Sequence, residues 1–328
     1  MRVPVLLLFS ILAGCQTPDT TEGDTSASSG GTPGTTTSSS SSTTTSSSGD
    51  LDTSTGTTDA TTGEPAPCNG SAALCERPFD AVVFPGTHNS VAATQSGFGP
   101  LNANQTNPVA EQLEDGIRVL LLDVTYDDDG ETVLCHGPCA LGSRPHVEVL
   151  AEIRAFLEDN PREVLSIIYQ DSVAPEDIVA DIESTDLLEL VYTHDGASWP
   201  TLGEMIEADT RLLVTAEVAG PPPAWLHWVW DLAWDTPYTF TSLESFSCEL
   251  GRGEQGNALF LLNHWLSTEA GLPDASRAAE ANAADVLLAR VHECRDSRGR
   301  TPTFIAVDFY EQGDLFEVVD MLNAEFSG

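Results

Sequence analysis

The chain has 328 residues, 41% of them hydrophobic, which is enough for one large domain or two ordinary ones. It contains 51 acidic residues and 13 basic residues, and every basic residue is arginine. The lack of lysine excludes Schiff-base catalysis, and the acidic excess argues against binding to nucleic acid or to an anionic membrane surface. We interpret this excess as a solvated surface.

The N-terminus has the pattern of an export signal. Arg2 precedes an apolar run at residues 5–12 that is too short to span a membrane. The tetrapeptide Leu-Ala-Gly-Cys that ends at Cys15 resembles a bacterial lipobox, which implies that residues 1–14 are a signal peptide and that Cys15 is lipidated. By the same resemblance, Gln16 favours the outer membrane or cell surface. An ordinary secretory signal with a chance cysteine is the alternative.

Residues 15–66 are rich in Ser, Thr and Gly. They have almost no apolar residues with which to bury a core, so we expect a disordered tether. A flexible chain of about 50 residues spans roughly 40 Å on average. The sequence therefore predicts a membrane-tethered protein whose folded domain occupies residues 67–328, and we expect this domain to be monomeric.

Six cysteines follow Cys15, an even number that favours disulfides in an exported protein. Six cysteines allow 15 pairings. Close spacing favours three bridges, Cys68 with Cys75, Cys135 with Cys139, and by remainder Cys248 with Cys294. A zinc site is the alternative, although the spacings fit no common zinc pattern well. The second bridge would fix a tight loop around His136.

Strand-like apolar runs and helix-like segments alternate along the domain. The runs typical of buried strands are 81–84, 119–124, 164–169, 190–192, 212–216, 259–263 and 304–307. Helical spacing predicts helices at 109–115, 146–160, 175–184, 201–208, 276–293 and 315–325, with Thr201 and Ser276 as N-caps. The aromatic-rich stretch 225–240 fits neither pattern.

Near-continuous apolar strands that alternate with helices are typical of a parallel sheet buried on both faces. Roughly eight such units in about 260 residues predict an α/β fold of the TIM type, a (β/α)8 barrel. A doubly wound open sheet is the alternative. It lacks support, because the sequence has no Gly-rich dinucleotide fingerprint.

Polar residues follow most of the predicted strands. In a barrel such residues converge at one mouth, where catalytic groups lie. They are His88-Asn89, Asp123, Gln170-Asp171, Glu217, Asn263-His264, Asp308, Tyr310 and Glu311, with His136 on the loop after the second strand. Two histidines can supply a base and an acid near neutral pH. Among the others, we expect Glu217, His264 and Tyr310 to bind substrate.

Three motifs carry a resemblance to a known family. They are residues 84–90 (Phe-Pro-Gly-Thr-His-Asn-Ser), residues 116–123 (Gly-Ile-Arg-Val-Leu-Leu-Leu-Asp) and residues 135–137 (Cys-His-Gly), and residues 164–168 and 307–310 extend the match. Together they resemble the X-domain core of phosphatidylinositol-specific phospholipase C, especially its secreted members without accessory domains. The resemblance covers roughly residue 68 to the C-terminus and implies a distorted (β/α)8 barrel.

The resemblance also implies a reaction. A hydroxyl next to the phosphate attacks a phosphodiester and forms a cyclic phosphate, which is then hydrolysed. His88 would be the general base and His136 the general acid, because one proton leaves the nucleophile while another must reach the leaving group. Asp308 would orient His88. The expected substrate is a phospholipid or a glycerophosphodiester.

The sequence departs from this family where the phosphate charge is balanced. Asn89 and Asp123 match the calcium-dependent members, but Leu121 and Ile168 stand where those members have glutamates. Oxygen ligands from Asn89, Asp123 and either Gln170 or Asp171 would complete a calcium site, and we expect Ca²⁺ there. Without a metal, the arginines nearest in sequence are Arg118 and Arg144, which we assign to substrate binding, with a structural role as the alternative for Arg118.

Two other functions remain open at the level of sequence. Leu121 and Ile168 at ligand positions would suit a surface protein that binds a headgroup or glycan without turnover. A glycosidase built on Asp123 and Asp308 would leave both histidine motifs unexplained. Phosphodiester cleavage is therefore the first expectation.

Overall fold

A computed structural model describes residues 66–325. The predicted signal peptide, the lipidated Cys15 and the tether up to residue 65 lie outside the described residues. The domain boundary at residue 67 therefore stays a prediction. In the described range, no helix combines the length and the apolarity needed to cross a bilayer.

The described chain alternates strands and helices. The strands are β1 (Phe84–Thr87), β2 (Val119–Tyr126), β3 (Thr132–Leu134), β4 (Arg144–Pro145), β5 (Leu165–Asp171), β6 (Val191–Tyr192), β7 (Leu212–Ala216), β8 (His227–Trp228), β9 (Ala233–Asp235), β10 (Leu259–His264) and β11 (Phe304–Val307). The α-helices are α1 (Val109–Asp115), α2 (His146–Asp159), α3 (Pro175–Ser184), α4 (Leu202–Glu207), α5 (Val229–Leu232), α6 (Ala278–Ala281), α7 (Ala284–Arg298) and α8 (Leu315–Glu325).

Parallel pairing follows the chain order around a curled sheet. The path runs β7-β5-β2-β1-β11-β10-β9, so the last strand lies beside the first. β6 pairs with the start of β7 and β8 with its end, and together they occupy the fifth barrel position. Within residues 66–325 no ladder joins β9 to β8, which leaves a seam. The predicted (β/α)8 barrel is confirmed, in a distorted form.

Alternation along the strands separates two cores. Side chains such as Phe84, Leu213 and Leu261 fill the barrel interior, and a second cluster that includes Leu122 and Tyr169 packs under the helices. Successive residues of a strand point to opposite faces. The position of a polar residue along its strand therefore decides whether it reaches the barrel mouth.

Most predicted elements are confirmed within a few residues. The strand predicted at 81–84 begins only at Phe84, because Phe79–Ala81 form a 3₁₀ turn. Thr201 caps α4 in a capping box with Glu204, as predicted for that helix start. The unassigned stretch 225–240 contains β8, α5 and β9, all too short to show a period.

The helix predicted at 276–293 is wrong in one respect, because it is two helices. α6 ends at Ala281 and α7 begins at Ala284. At Asn282 the backbone leaves the helix, and the Asn282 side chain donates hydrogen bonds to the carbonyls of Asp308 (2.9 Å) and Gln312 (3.0 Å). The predicted cap Ser276 lies two residues before α6. The break ties this region to the loop after β11.

The three predicted disulfides are confirmed. They join Cys68 to Cys75, Cys135 to Cys139, and Cys248 to Cys294. The zinc alternative is excluded for these six cysteines, because all of them are oxidised in pairs. Such bridges form in oxidising compartments.

Candidate active site

A cavity of about 60 Å³ lies at the carboxyl ends of the barrel strands. Its walls include residues that the sequence places at strand ends, namely His88, Asn89, Asp123, Gln170, Glu217 and Asn263. Strand alternation explains why His88, Asp123, Gln170, Glu217 and Asn263 converge, since each occupies an inward position of its strand or of the strand's extension. Asn89 does not follow this rule, and it reaches the cavity beside His88 where the backbone turns with a positive φ of 45°. The structure thus brings six predicted positions to one cavity.

His88 is held on three sides at the end of β1. Its Nδ1 lies 2.8 Å from Oδ1 of Asp308, and its backbone N–H donates to the carbonyl of Val307 at 2.9 Å. The imidazole stacks on the indole of Trp265, with 3.8 Å between ring centroids and 6° between ring planes. Because Nδ1 faces the Asp308 carboxylate, Nε2 is the nitrogen left for chemistry.

His136 lies on the loop that follows β3. Its Nδ1 is 2.9 Å from the backbone carbonyl of Asn102, and the Cys135–Cys139 disulfide closes the loop around it. Burial lowers the pKa of His136 below its ordinary value. The centroids of the His88 and His136 rings are 6.3 Å apart. At this separation one amide-sized group fits between the two rings, and His136 itself is not among the walls of the cavity.

The Asn89 amide lies between the two imidazoles. Its nitrogen donates to Oδ1 of Asn104 at 3.1 Å and lies 3.1 Å from Nε2 of His88 and 3.3 Å from Nε2 of His136. Its oxygen lies 3.2 and 3.3 Å from the carboxyl oxygens of Asp123. Turning the amide over would instead set its oxygen against Oδ1 of Asn104, so we keep the orientation that bonds the two asparagines.

In that orientation the Asn89 oxygen faces the carboxyl oxygens of Asp123, and two acceptors repel each other. A proton on Asp123 would turn this repulsion into a hydrogen bond. Burial raises the pKa of Asp123 to about 7, and the charge of Glu217 also raises it, while His88 opposes the shift. A neutral Asp123 donates a hydrogen bond to the Asn89 oxygen. Asp123 is thus a half-buried acid in an apolar corner beside Leu121 and Ile168.

Calcium is the metal that the resemblance implies, and the donor set does not fit it. Calcium takes six to eight oxygen ligands at about 2.4 Å, commonly with several carboxylates. Beside Asn89 the cavity offers the Asp123 carboxylate and the Gln170 amide, while Leu121 and Ile168 close two sides. In residues 66–325 no cluster of three or more His, Cys, Asp or Glu side chains is arranged to hold a metal.

Asp171 and His264 do not reach the cavity, which corrects two sequence-based expectations. Each lies next to an inward residue and so points outward. The Asp171 carboxylate accepts the backbone N–H groups of Val218 (2.8 Å) and Ala219 (2.7 Å). His264 is fully buried behind β10, where Nε2 lies 2.8 Å from the carbonyl of Ala281.

Three further assignments to substrate binding are corrected. The phenol of Tyr310 is buried behind the barrel, where it donates to Asp115 and accepts from Asn107. Arg118 precedes β2 at the opposite end of the barrel and pairs with Glu163 at 2.7 Å. Arg144 pairs with Glu152, also at 2.7 Å, and lies outside the cavity walls.

The cation of the cavity is Arg252, which sequence reasoning missed. Its guanidinium donates to Glu217 (2.7 Å) and to Asp235 (2.6 and 2.9 Å), and it lies between the rings of Trp230 and Tyr238. Three of its five N–H groups are used in these bonds, which leaves two for a ligand. It lies in the irregular segment between β9 and β10, beyond the aromatic-rich stretch at 225–240, so no strand pattern indicates its direction.

Sequence reasoning also missed the residues that hold the histidines. Trp265, Asn102, Asn104 and Gln105 contact them directly or through Asp308. The inward position of Trp265 could have been predicted, because it continues the alternation that places Leu261 and Asn263 inside the barrel. The asparagines lie in an irregular loop, where the sequence pattern gives no direction to a side chain.

Comparison with known proteins gives the family. The PI-PLC_X family model, PI-PLC X 1, matches residues 74–323. The chain belongs to the PI-PLC X family. The resemblance seen in the sequence motifs is therefore confirmed, and the match covers the whole barrel of this PI-PLC X domain.

Curated relatives agree with this family. An uncharacterized secreted protein of Arthroderma benhamiae is 30% identical over 288 residues, which cover 78% of this chain and 64% of that protein. PI-PLC X domain-containing protein 1 of the same organism is 29% identical over 280 residues, covering 78% and 89%. A PI-PLC X domain-containing protein of Arabidopsis thaliana is 29% identical, covering 75% and 62%. The chain thus spans less than two thirds of the first and third relatives.

Solved structures of a phosphatidylinositol-specific phospholipase C share the fold of this chain. A mutant phosphatidylinositol-specific phospholipase C from Staphylococcus aureus superposes with a TM-score of 0.53 at 13% identity, covering 76% of this chain and 94% of that one. A second structure of the same enzyme gives a TM-score of 0.54, also at 13% identity and with the same coverage. At this identity the likeness concerns the barrel fold.

Proposed function

We propose that the protein is a phosphoric diester hydrolase that cleaves a phospholipid or glycerophosphodiester through a cyclic phosphate. One observation carries the proposal. The same amide nitrogen of Asn89 lies 3.1 Å from Nε2 of His88 and 3.3 Å from Nε2 of His136. Two imidazole nitrogens within hydrogen-bond distance of one point can act on the nucleophile and the leaving group of a single reacting centre.

In the first step His88 is the base. Its Nε2 takes the proton of a substrate hydroxyl, whose oxygen attacks the neighbouring phosphorus. Asp308, 2.8 Å from Nδ1, fixes the tautomer and stabilises the imidazolium that forms. Trp265 adds a π face to the same charged ring.

His136 completes the step as the acid. As the bond from phosphorus to the leaving oxygen breaks, Nε2 of His136 gives its proton to that oxygen, and an alcohol leaves with a cyclic phosphate behind. Water then opens the cyclic phosphate with the two roles exchanged. Both proton transfers use groups of this chain.

We propose that this reaction runs without calcium. Leu121 and Ile168 occupy the positions where further carboxylates would be needed, and Arg252, which is ion-paired with Glu217 and Asp235, brings two further N–H donors to the cavity. A guanidinium with two unused donors suits an oxygen-rich headgroup or phosphate. Because burial raises the pKa of Asp123 to about 7, its carboxyl carries less negative charge against the phosphate near neutral pH than an ordinary aspartate does.

The disulfides and the secreted relative support export of the domain. With the predicted lipobox at Cys15, we propose a lipoprotein whose barrel is tethered at a membrane or cell surface. The acidic composition favours substrates presented in neutral surroundings over those in an anionic bilayer.

A second candidate is a protein that binds a headgroup or glycan without turnover. The apolar corner formed by Leu121 and Ile168 favours it, since it removes charge-stabilising groups from the cavity. Ligand binding with no product across many diesters would select this candidate.

The test is an assay of the purified full chain on phosphatidylinositol in neutral detergent micelles and on glycerophosphoinositol, with calcium and with chelator. We expect release of the alcohol and a cyclic phosphate. His88→Ala and His136→Ala should abolish both products. Activity that survives both substitutions would remove the proposed mechanism.

A further inference from the structure

The loop between β1 and α1 carries a run of buried amides. Asn102, Asn104, Gln105 and Asn107 are each at most 9% exposed. Burying an amide costs free energy unless it is hydrogen-bonded. The partners of these side chains therefore show what the loop holds in place.

Asn104 bonds the base side of the cavity. Its Nδ2 donates to Oδ2 of Asp308 at 2.9 Å, while the other carboxylate oxygen of Asp308 faces His88. Its Oδ1 accepts from Asn89 at 3.1 Å. The backbone of Asn104 is fixed as well, because its N–H donates to Ala92 and its carbonyl accepts from Phe309, each at 2.8 Å.

Asn102 bonds the acid side. Its backbone carbonyl lies 2.9 Å from Nδ1 of His136, and its Nδ2 donates to the backbone carbonyl of His136 at 3.3 Å. The two residues thus hold each other by a reciprocal pair of contacts. Gln105 returns to the base side, where Nε2 donates to the carbonyls of His88 (2.8 Å) and Val307 (3.0 Å).

We propose that Asn102 and Asn104 are positioning residues that together fix the base and the acid at their working separation, an inference that rests on the proposed function. His88 stands on a strand and His136 on a separate loop, so neither element alone sets the distance between them. The segment bonds to both. Asn102 and Asn104 are separated by one residue, so the contacts on the acid side and on the base side come from one short piece of chain.

Asn104 affects the proton transfer to the base, and Asn102 affects the proton transfer from the acid. Substrates with different leaving groups distinguish these two effects. When the substrate is an inositol nitrophenyl phosphodiester, the nitrophenolate leaves without a proton. When it is an alkyl ester, the alkoxide needs a proton from the acid. A fault on the base side slows both substrates. A fault on the acid side slows only the alkyl ester.

The experiment compares Asn104→Ala and Asn102→Ala with Asn107→Ala in the full chain. Asn107 is the matched control, because it lies in the same loop and bonds Gln95 and Tyr310, which are outside the cavity. For Asn104→Ala we expect kcat to fall about 100-fold on both esters, with KM within about threefold. For Asn102→Ala we expect about a tenfold fall on the alkyl ester alone. Asn107→Ala should stay within about twofold on both.

A second measurement needs no substrate. The ring protons of His88 lie over the indole of Trp265, whose ring current shifts their NMR resonances upfield. Asn104→Ala, or Asn104→Ser if the alanine variant does not fold, should move these resonances towards those of a mobile histidine, and Asn107→Ala should not. Unchanged resonances and Asn107-like kinetics would overturn the inference. If the wild-type chain cleaved no diester, the proposed function would be wrong. The NMR resonances would still test whether Asn104 positions His88.

Discussion

The two histidines are mounted in opposite ways. His88 follows β1, which is hydrogen-bonded on both sides to β2 and β11, and its partners Asp308 and Trp265 follow neighbouring strands. His136 stands on a loop beyond the β2–β3 hairpin, held by a disulfide and by Asn102. The base takes its position from the sheet, and the acid takes its position from a covalent bridge and a neighbouring loop.

Because of this difference, substitutions should affect the two halves of the site differently. A ladder distributes strain over many backbone hydrogen bonds, so the base side tolerates change outside its own contacts. A short loop has few such bonds, and removal of one constraint frees the whole segment. Variants on each side of the site test this contrast.

Removal of either imidazole breaks the pair. We expect His88→Ala to lower kcat/KM about 1,000-fold or more on phosphodiesters with either leaving group, because the base is needed in each case. His136→Ala should cost as much on an alkyl ester but less than about tenfold on a nitrophenyl ester, which departs without a proton. Initial rates on the two esters measure the contrast, and equal losses for His136→Ala on both would contradict the assigned roles.

The disulfide beside His136 should matter for rate more than for folding. The double variant Cys135→Ala/Cys139→Ala opens a short loop, and we expect kcat to fall about tenfold on the alkyl ester while the nitrophenyl ester is nearly unaffected. Cys68→Ala/Cys75→Ala is the matched control, because that bridge closes a comparable loop away from the cavity. The control should lower Tm and leave kcat unchanged. The same kcat loss in both double variants would argue against a clamp on the acid.

His264 tests the outward position next to the cavity. Burial lowers its pKa to about 3, so below its unfolded pKa of about 6.5 the unfolded chain binds more protons than the folded chain. Stability should therefore fall as pH drops from about 6.5 towards 3, by up to about 1.4 kcal/mol per pH unit from this group. His264→Gln should flatten that part of the urea-unfolding profile and leave kcat at neutral pH unchanged. An unaltered profile, or a loss of activity, would place His264 in another role.

Metal removal should have the smallest effect. Because the second carboxylate of the cavity, Glu217, is paired with Arg252, Asp123 is the one left to bind a metal beside Asn89, and we expect activity in chelator to stay within about twofold of activity in calcium. Arg252→Gln, by contrast, should weaken substrate binding about tenfold or more through KM. Loss of activity in chelator with full recovery on added calcium would show that Asp123 and Asn89 hold a metal after all.

Much of the fold was predictable because its signals are local. The helices at 109–115 and 175–184 match residue by residue, since apolar spacing and the residues at their ends agree. The fifth barrel position was not predictable. β6 and β8 have two residues each, too few for alternation to show, and they share one place beside β7.

The candidate site was predictable where residues end long strands. His88, Asp123 and Glu217 reach the cavity by alternation, and the same rule applied strictly would have removed Asp171 and His264. Asn104 and Arg252 could not be found this way. Each lies in irregular chain, where its direction depends on tertiary partners such as Asp308 and Asp235.

The segments that flank the seam between β8 and β9 should tolerate sequence change better than the rest of the barrel. The continuous ladder from β7 round to β9 positions His88 and Asp308, so most changes there would cost catalysis. Glu217, Tyr238 and Arg252 line the cavity from the segments that flank the seam. Insertions and substitutions can accumulate in those segments without disturbing a ladder. Descendants of this barrel can therefore acquire new headgroup preferences while they inherit the same proton-transfer pair.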